Sequence, residues 1–309
     1  MKGKRMKSCK MLSSLASLMI VSMFVANGAC AGGERSLCVV HRGWGLAMPE
    51  NSLVALERCW EAGFLPECDA RISTDGVIYA YHDPSYRGRP MKEFSWKEIQ
   101  EIDIGAPKGE KWKGKGIRAP TWDAIFAAMA GRPERTILMD HKDAPAEALA
   151  ALVHKHGVEK QAWWCGGTLA GSNRWKQLVP DGKALAWVRF GKSWKKVDFS
   201  DAERLAEIDG YVRGCVDDWA KTGFGAADMV ELIVNVDLKD PTRAAPSLPV
   251  VRDAVSRIRA AGKKSCVLIW AESADRIESY RSIAAAAAPD ALGTDYPERL
   301  QEFLSNASR

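Results

Sequence analysis

No C-x-x-C pair occurs in the sequence, and its cysteines nowhere take the spacing of zinc ligands, so a thiolate metal centre is not indicated. No internal repeat is visible, which removes the stacked-repeat architectures. The first 31 residues hold no acid at all: Lys2, Lys4, Arg5, Lys7 and Lys10 are followed by an apolar stretch from Met11 to about Val25 and then by Ala29-Cys30-Ala31. That order is expected of a secretory signal peptide over residues 1–31, removed on export to the periplasm or the extracellular space. The apolar run is too short for a comfortable membrane span. Cys30 offers a second fate, lipid attachment after cleavage, which Asn27-Gly28-Ala29 supports only in part. Five of the 44 basic residues and none of the 39 acidic ones lie in this segment, which leaves 39 of each. The excess of +5 therefore belongs to the export signal, and no global basicity points to nucleic acid.

Residues 32–309 are enough for one large core. Of the eight cysteines, six remain there: Cys38, Cys59, Cys68, Cys165, Cys215 and Cys266. They are scattered, mostly in apolar segments, so a disulfide or two is allowed but a disulfide framework is not indicated. Short apolar runs alternate with helical patterns. Strands are expected at Leu37–His41, Glu67–Ser73, Val77–His82, Thr136–Lys142, Gln161–Cys165, Ala184–Val188, Met229–Val236, Ser265–Ile269 and Ala291–Gly293. Helices are expected between most of them, the first capped by Asn51 or Ser52 and ended by Gly63. This alternation argues for an α/β fold with a parallel sheet, and about eight units suffice to close a TIM-type (β/α)8 barrel. Residues 84–120 break the alternation and read as a small insertion after the second strand, laid over one end of the barrel. Its basic run, Lys108, Lys111, Lys113, Lys115 and Arg118, is read as a solvated loop, with a phosphate-attracting rim as the sharper alternative.

Chemistry concentrates at the strand ends. Residues two apart in a strand project to the same side, so Glu67 and Asp69 stand together while Cys68 turns into packing. Two adjacent carboxylates repel unless a cation or a proton joins them, and hard oxygen ligands suit Ca²⁺ or Mg²⁺. His41 and His82 end two of the expected strands beside this pair, and histidine takes and gives protons near neutral pH. By the same alternation Asp140 and Lys142 share a face, and His141 lies on the other.

The ordered set His41-Arg42-Gly43, Pro49-Glu50-Asn51, Glu67-Cys68-Asp69, Thr74-Asp75-Gly76 and His82-Asp83 resembles the opening of the glycerophosphodiester phosphodiesterase family. Ile102-Asp103-Ile104-Gly105, Ala119-Pro120-Thr121, Asp140-His141-Lys142, Ile269-Trp270 and Gly293-Thr294-Asp295-Tyr296-Pro297 extend the resemblance over about residues 37–300. The resemblance implies a barrel enzyme that hydrolyses glycerophosphodiesters to an alcohol and glycerol 3-phosphate. It implies one divalent cation, Ca²⁺ or Mg²⁺, on Glu67, Asp69 and Asp140, and His41 and His82 as the general acid–base pair. Arg42 and Lys142 would meet the phosphate, Glu50 would organise the site and Trp270 would line the substrate pocket. The expected partner is a small phosphodiester.

Four departures bear on the substrate more than on the reaction class. Asp140 stands for the usual Glu, one methylene shorter. Trp270 is followed by Ala271-Glu272-Ser273. Tyr86-Arg87-Gly88 and Trp164-Cys165-Gly166 replace two other usual motifs. Cyclising cleavage of a lysophospholipid or sphingolipid on the same residues, and a barrel that binds phosphate or sugar without turnover, are the alternative readings.

Overall fold

Runs such as Ile137-Leu138-Met139 and Leu232-Ile233-Val234 have no polar alternation, so each strand they form needs cover on both faces. A closed parallel barrel inside a ring of helices supplies that cover. The computed structural model describes residues 37–188, 197–270 and 275–307. The segment read as a signal peptide, Cys30 included, and Ala271-Glu272-Ser273 lie outside the described residues. Among the described residues no helix is long and apolar enough to cross a membrane.

Along the chain run β1 (Leu37–Val40), α1 (Leu53–Glu61), β2 (Leu65–Ile72), α2 (Trp122–Met129), β3 (Ile137–His141), α3 (Ala146–His156), β4 (Ala162–Cys165) and α4 (Leu169–Leu178). They are followed by β5 (Lys183–Val188), α5 (Ala202–Ala220), β6 (Met229–Val236), α6 (Leu248–Ala260), β7 (Lys264–Ile269), α7 (Ile277–Ala287), β8 (Ala291–Thr294) and α8 (Pro297–Ala307). Each of these strands pairs in parallel with the next, and β1 pairs with both β8 and β2, so the barrel closes. Its interior is filled by Val39, Leu65, Leu138, Trp163, Leu185 and Met229. Outward residues of the same strands, Cys68 and Met139 among them, pack under the helices with Trp122, Phe126 and Trp175. Burying side chains of this size contributes about 1.5–3 kcal/mol each. All six cysteines at positions 38 and beyond are free.

The run expected as a strand over Val77–His82 is shorter and is not a barrel strand. Ile78–Ala80 returns antiparallel along β2, with Ala70 opposite Ala80 and Ile72 opposite Ile78. His82 therefore does not leave a barrel strand. It comes back down a hairpin to the level of Asp69, whose carbonyl accepts the Tyr81 N–H at 3.3 Å. Residues 84–120 lie between this hairpin and α2, and Met91, Phe94, Ile99, Ile102 and Ile104 from them pack on Tyr79 of the hairpin in a separate apolar cluster.

Candidate active site

β2 and β3 lie in register with Asp69 opposite Asp140 and Glu67 opposite Leu138. This pairing, with the two-residue alternation, sends Glu67, Asp69 and Asp140 to one spot at the carboxyl end of the barrel. One oxygen of each lies within 4.8 Å of the others. The shorter arm of Asp140 still reaches, because it stands directly beside Asp69 rather than diagonally from it. Glu67 and Asp69 are buried, and Glu67 Oε1 has no hydrogen-bond partner. A buried carboxylate oxygen without a donor is costly unless a cation meets it. The three groups thus fit a hard divalent ion held by oxygen.

Burial and the neighbouring Asp69 push Glu67 up to about 8. Burial opposes the charge of Asp69 too, but Lys142, His82 and His41 outweigh it and hold that carboxyl below its usual range. Lys142 Nζ stands 2.5 Å from Asp140 Oδ2 and 2.9 Å from Asp69 Oδ1, so its ammonium neutralises part of the cluster.

His41 follows the last residue of β1. Its Nδ1 meets Asp295 Oδ1 at 2.6 Å, and its Nε2 lies 3.9 Å from Glu67 Oε2. Burial works against a charge on His41, but the bond to Asp295 and the charge of Glu67 prevail and lift it to about 9. His82 Nδ1 lies 2.8 Å from Asp83 Oδ1. Burial pulls His82 below its ordinary value, and Asp69 and Asp83 only partly offset this. The two imidazoles therefore favour opposite protonation states at neutral pH.

Arg42 adopts a left-handed backbone (φ +52°), which aims its N–H at Glu67 Oε2, 2.8 Å away. A side chain other than glycine's rarely accepts this conformation, and such strain collects at functional sites. The Arg42 guanidinium bonds Glu50 Oε2 at 2.6 Å, and Lys108 Nζ from the insertion bonds the other oxygen of Glu50 at 2.7 Å. The basic run is thus divided: Lys108 turns toward the site, while Lys111, Lys113 and Lys115 are exposed. The Trp270 ring, just past β7, lies 6.0 Å from that of His41.

His41, Arg42, Glu67, His82, Asp140, Lys142 and Trp270 line one cavity of about 420 Å³, with Asp69 beneath it. Glu50 lines a neighbouring cavity of about 210 Å³ under the insertion, which shares Arg42 and His82 with the first. All nine side chains singled out in the sequence thus converge at this end of the barrel. His141 turns away, as its alternation requires, and stacks on Trp164 at 4.3 Å.

Sequence reasoning gave no place in the site to three further groups. Asp295, inside the Gly293–Pro297 motif, holds His41. Asn51 donates to Asp69 Oδ2 at 2.7 Å and accepts the Asp69 N–H at 2.9 Å, leaving Ser52 alone to cap α1. Glu231 lines the larger cavity although it is nearly buried. An acid inside the apolar run Met229–Val236 was the signal for it.

Comparison with known proteins gives the same answer at two levels. The model of the glycerophosphoryl diester phosphodiesterase family matches residues 41–164, the stretch that carries eight of the nine side chains, all three carboxylates among them. A curated glycerophosphodiester phosphodiesterase of Caldanaerobacter subterraneus subsp. tengcongensis is 32% identical over 98 residues, 30% of this chain; the match spans 40% of that relative's length. Among solved structures, a glycerophosphodiester phosphodiesterase of Agrobacterium tumefaciens aligns with a TM-score of 0.60 at 20% identity, over 86% of this chain and 99% of that one. A phosphodiesterase of Oleispira antarctica in complex with the product sn-glycerol-3-phosphate aligns with a TM-score of 0.59 at 18% identity, over 86% and 96%. At these identities the structures speak for the barrel alone. Over residues 41–164, the stretch that carries the carboxylate cluster and both imidazoles, the chain is similar to the glycerophosphoryl diester phosphodiesterase family.

Proposed function

We propose that this protein hydrolyses glycerophosphodiesters to an alcohol and glycerol 3-phosphate, with one divalent cation, Ca²⁺ or Mg²⁺, on Glu67, Asp69 and Asp140. The observation that carries the reading is the buried three-carboxylate cluster flanked by His41 and His82 in a single cavity. A cation bound there would neutralise phosphate charge and lower the pKa of a hydroxyl brought to it. Ca²⁺ tolerates the shortened Asp140 arm better than Mg²⁺, which demands a more regular shell.

The chain's own residues supply the rest. Arg42 presents a planar donor pair to two phosphate oxygens, and Lys142 acts as a point charge on the other side. His82, kept neutral, takes the proton from the glycerol hydroxyl as that oxygen attacks phosphorus. His41, kept protonated by Asp295 and Glu67, gives its proton to the oxygen of the leaving alcohol as the P–O bond breaks. Water then opens the cyclic phosphate with the two imidazoles exchanging roles, which returns both to their starting states. On the order of its amino-terminal segment, the enzyme acts outside the cytoplasm on diesters such as deacylated phospholipid head groups.

The test is release of glycerol 3-phosphate from glycerophosphocholine. Turnover lost in EDTA and restored by Ca²⁺ or Mg²⁺ is the expected result. A protein that binds the cation but turns over no diester would instead be a binding barrel.

A further inference from the structure

His41 depends on Asp295, and Asp295 itself sits on a short segment between β8 and α8. A second acid, Asp275, lies beneath that segment and is fully buried. One of its oxygens, Oδ2, accepts the backbone N–H of Asp295 at 2.7 Å. The Thr294 hydroxyl stands 3.0 Å from both carboxylate oxygens, and the Tyr280 hydroxyl from α7 donates to Oδ1. The same Thr294 hydroxyl accepts the N–H of Tyr296 at 2.7 Å, so the network grips the chain on both sides of Asp295. Arg299 fixes the acid from below, donating to the Asp275 carbonyl at 2.7 Å.

From the opposite side the loop after β1 closes on the same segment. The Leu46 N–H bonds the Asp295 carbonyl at 3.1 Å, and the His41 N–H bonds the Thr294 carbonyl at 3.1 Å. Gly45 allows that approach, since a Cβ there would fall 1.9 Å from the Asp295 oxygen. Asp295 thus has little freedom to turn, and its Oδ1 is delivered to His41 Nδ1.

We propose that Asp275 is a positioning residue for His41, acting through the backbone of Asp295 and the hydroxyl of Thr294. It lines neither cavity and so touches no substrate. Its effect is to hold the Nδ1 proton on Asp295 after Nε2 has given its own, and so to leave Nε2 directed at the reacting diester. Burial raises Asp275 to about 6, with the Tyr280, Asp295 and Thr294 donors working against that rise, so it remains an ionised acceptor at neutral pH. The inference rests on the acid–base role given to His41 above.

The experiment compares wild-type protein with Asp275→Asn, Asp295→Asn and the double variant, each loaded with Ca²⁺. Asp275→Asn is expected to lower kcat about tenfold, the scale of an outer partner that orients a reacting group, with KM and Ca²⁺ affinity unchanged. The double variant should fall within about threefold of Asp295→Asn alone, because both act on one group. Losses that multiply, a wild-type kcat in Asp275→Asn, or a matching loss of Ca²⁺ affinity would overturn the proposal. If Asp275→Asn does not fold, Thr294→Val takes its place, with a lowered kcat expected and recovery in Thr294→Ser; equal rates in the two would overturn it as well. Nitrogen-15 shifts of His41 give a reading that needs no turnover. Above about pH 9, where the His41 ring is neutral, Asp275→Asn should shift the proton population between Nδ1 and Nε2, and an unchanged tautomer would sink the inference. A wild-type protein with no diesterase activity would defeat the functional reading, and the tautomer measurement would then decide this one alone.

Discussion

Glu67 and His41 both hold a proton more tightly in the fold than in the unfolded chain, where their ordinary values are 4.5 and 6.5. Such groups stabilise the fold fully below the unfolded values, and that contribution is lost as pH rises through the folded ones, here about 8 and about 9. The lowered Asp69 acts in the opposite sense but only at the acid end, below its ordinary 3.8, and contributes no slope above neutrality. Cation-free protein should therefore unfold at lower denaturant concentration at pH 9 than at pH 6. Glu67→Gln should flatten the dependence, and a wild-type midpoint that rises with pH would contradict the assigned cluster. Catalysis divides along the same residues. His41→Ala and His82→Ala should each lower kcat by about 10²–10⁴-fold, the usual worth of one proton transfer, while the protein still folds and Ca²⁺ affinity stays near wild type. Near-normal rates in either variant would remove its acid–base role.

At the level of elements, the insertion does more than shelter the mouth. Lys108 reaches from it to Glu50, and Glu50 grips Arg42, so one strap ties residues 84–120 to the Arg42 side of the cavity. Lys108 is only 14% exposed, which places the pair outside the class of freely solvated bridges worth little. Lys108→Ala should raise KM several-fold with a small change in kcat, since the Arg42 guanidinium loses its second anchor but the imidazoles are untouched. A change in kcat alone would place Lys108 elsewhere in the reaction. How far the elements could be read in advance follows from the range of the forces that set them. Met229–Val236 shows in the sequence because a run buried on both faces leaves no alternation to misread. Glu67, Asp69, Asp140 and Lys142 were legible because strand geometry fixes the side to which each projects. The hairpin at Ile78–Ala80 was not, because a barrel strand and a strand that turns back share the same local pattern and differ only in pairing. Asp295 escaped for a similar reason: its partner is 254 positions away, and only closure of β8 onto β1 brings the two together.

Closure of the barrel makes the carboxylate cluster a property of the whole molecule. The three carboxylates come from adjacent strands, and His41 from the strand on their other side, so the cluster exists only while the ring is intact. In the unfolded chain Asp69 and Asp140 are separated by 70 intervening residues and have no common site. A cation that binds only the folded state stabilises it by about 2.7 kcal/mol at a hundred times its Kd. For a domain of this size that corresponds to a rise of roughly 5 °C in Tm. Scanning calorimetry at rising Ca²⁺ should show this shift grow with the logarithm of concentration. Glu67→Gln and Asp69→Asn should abolish it, whereas His82→Ala should keep it, since His82 lies on the hairpin and offers the ion no oxygen. A shift of equal size in Glu67→Gln would mean that the stabilising ion binds elsewhere, and the cluster would then have to be explained by its own protons and by Lys142.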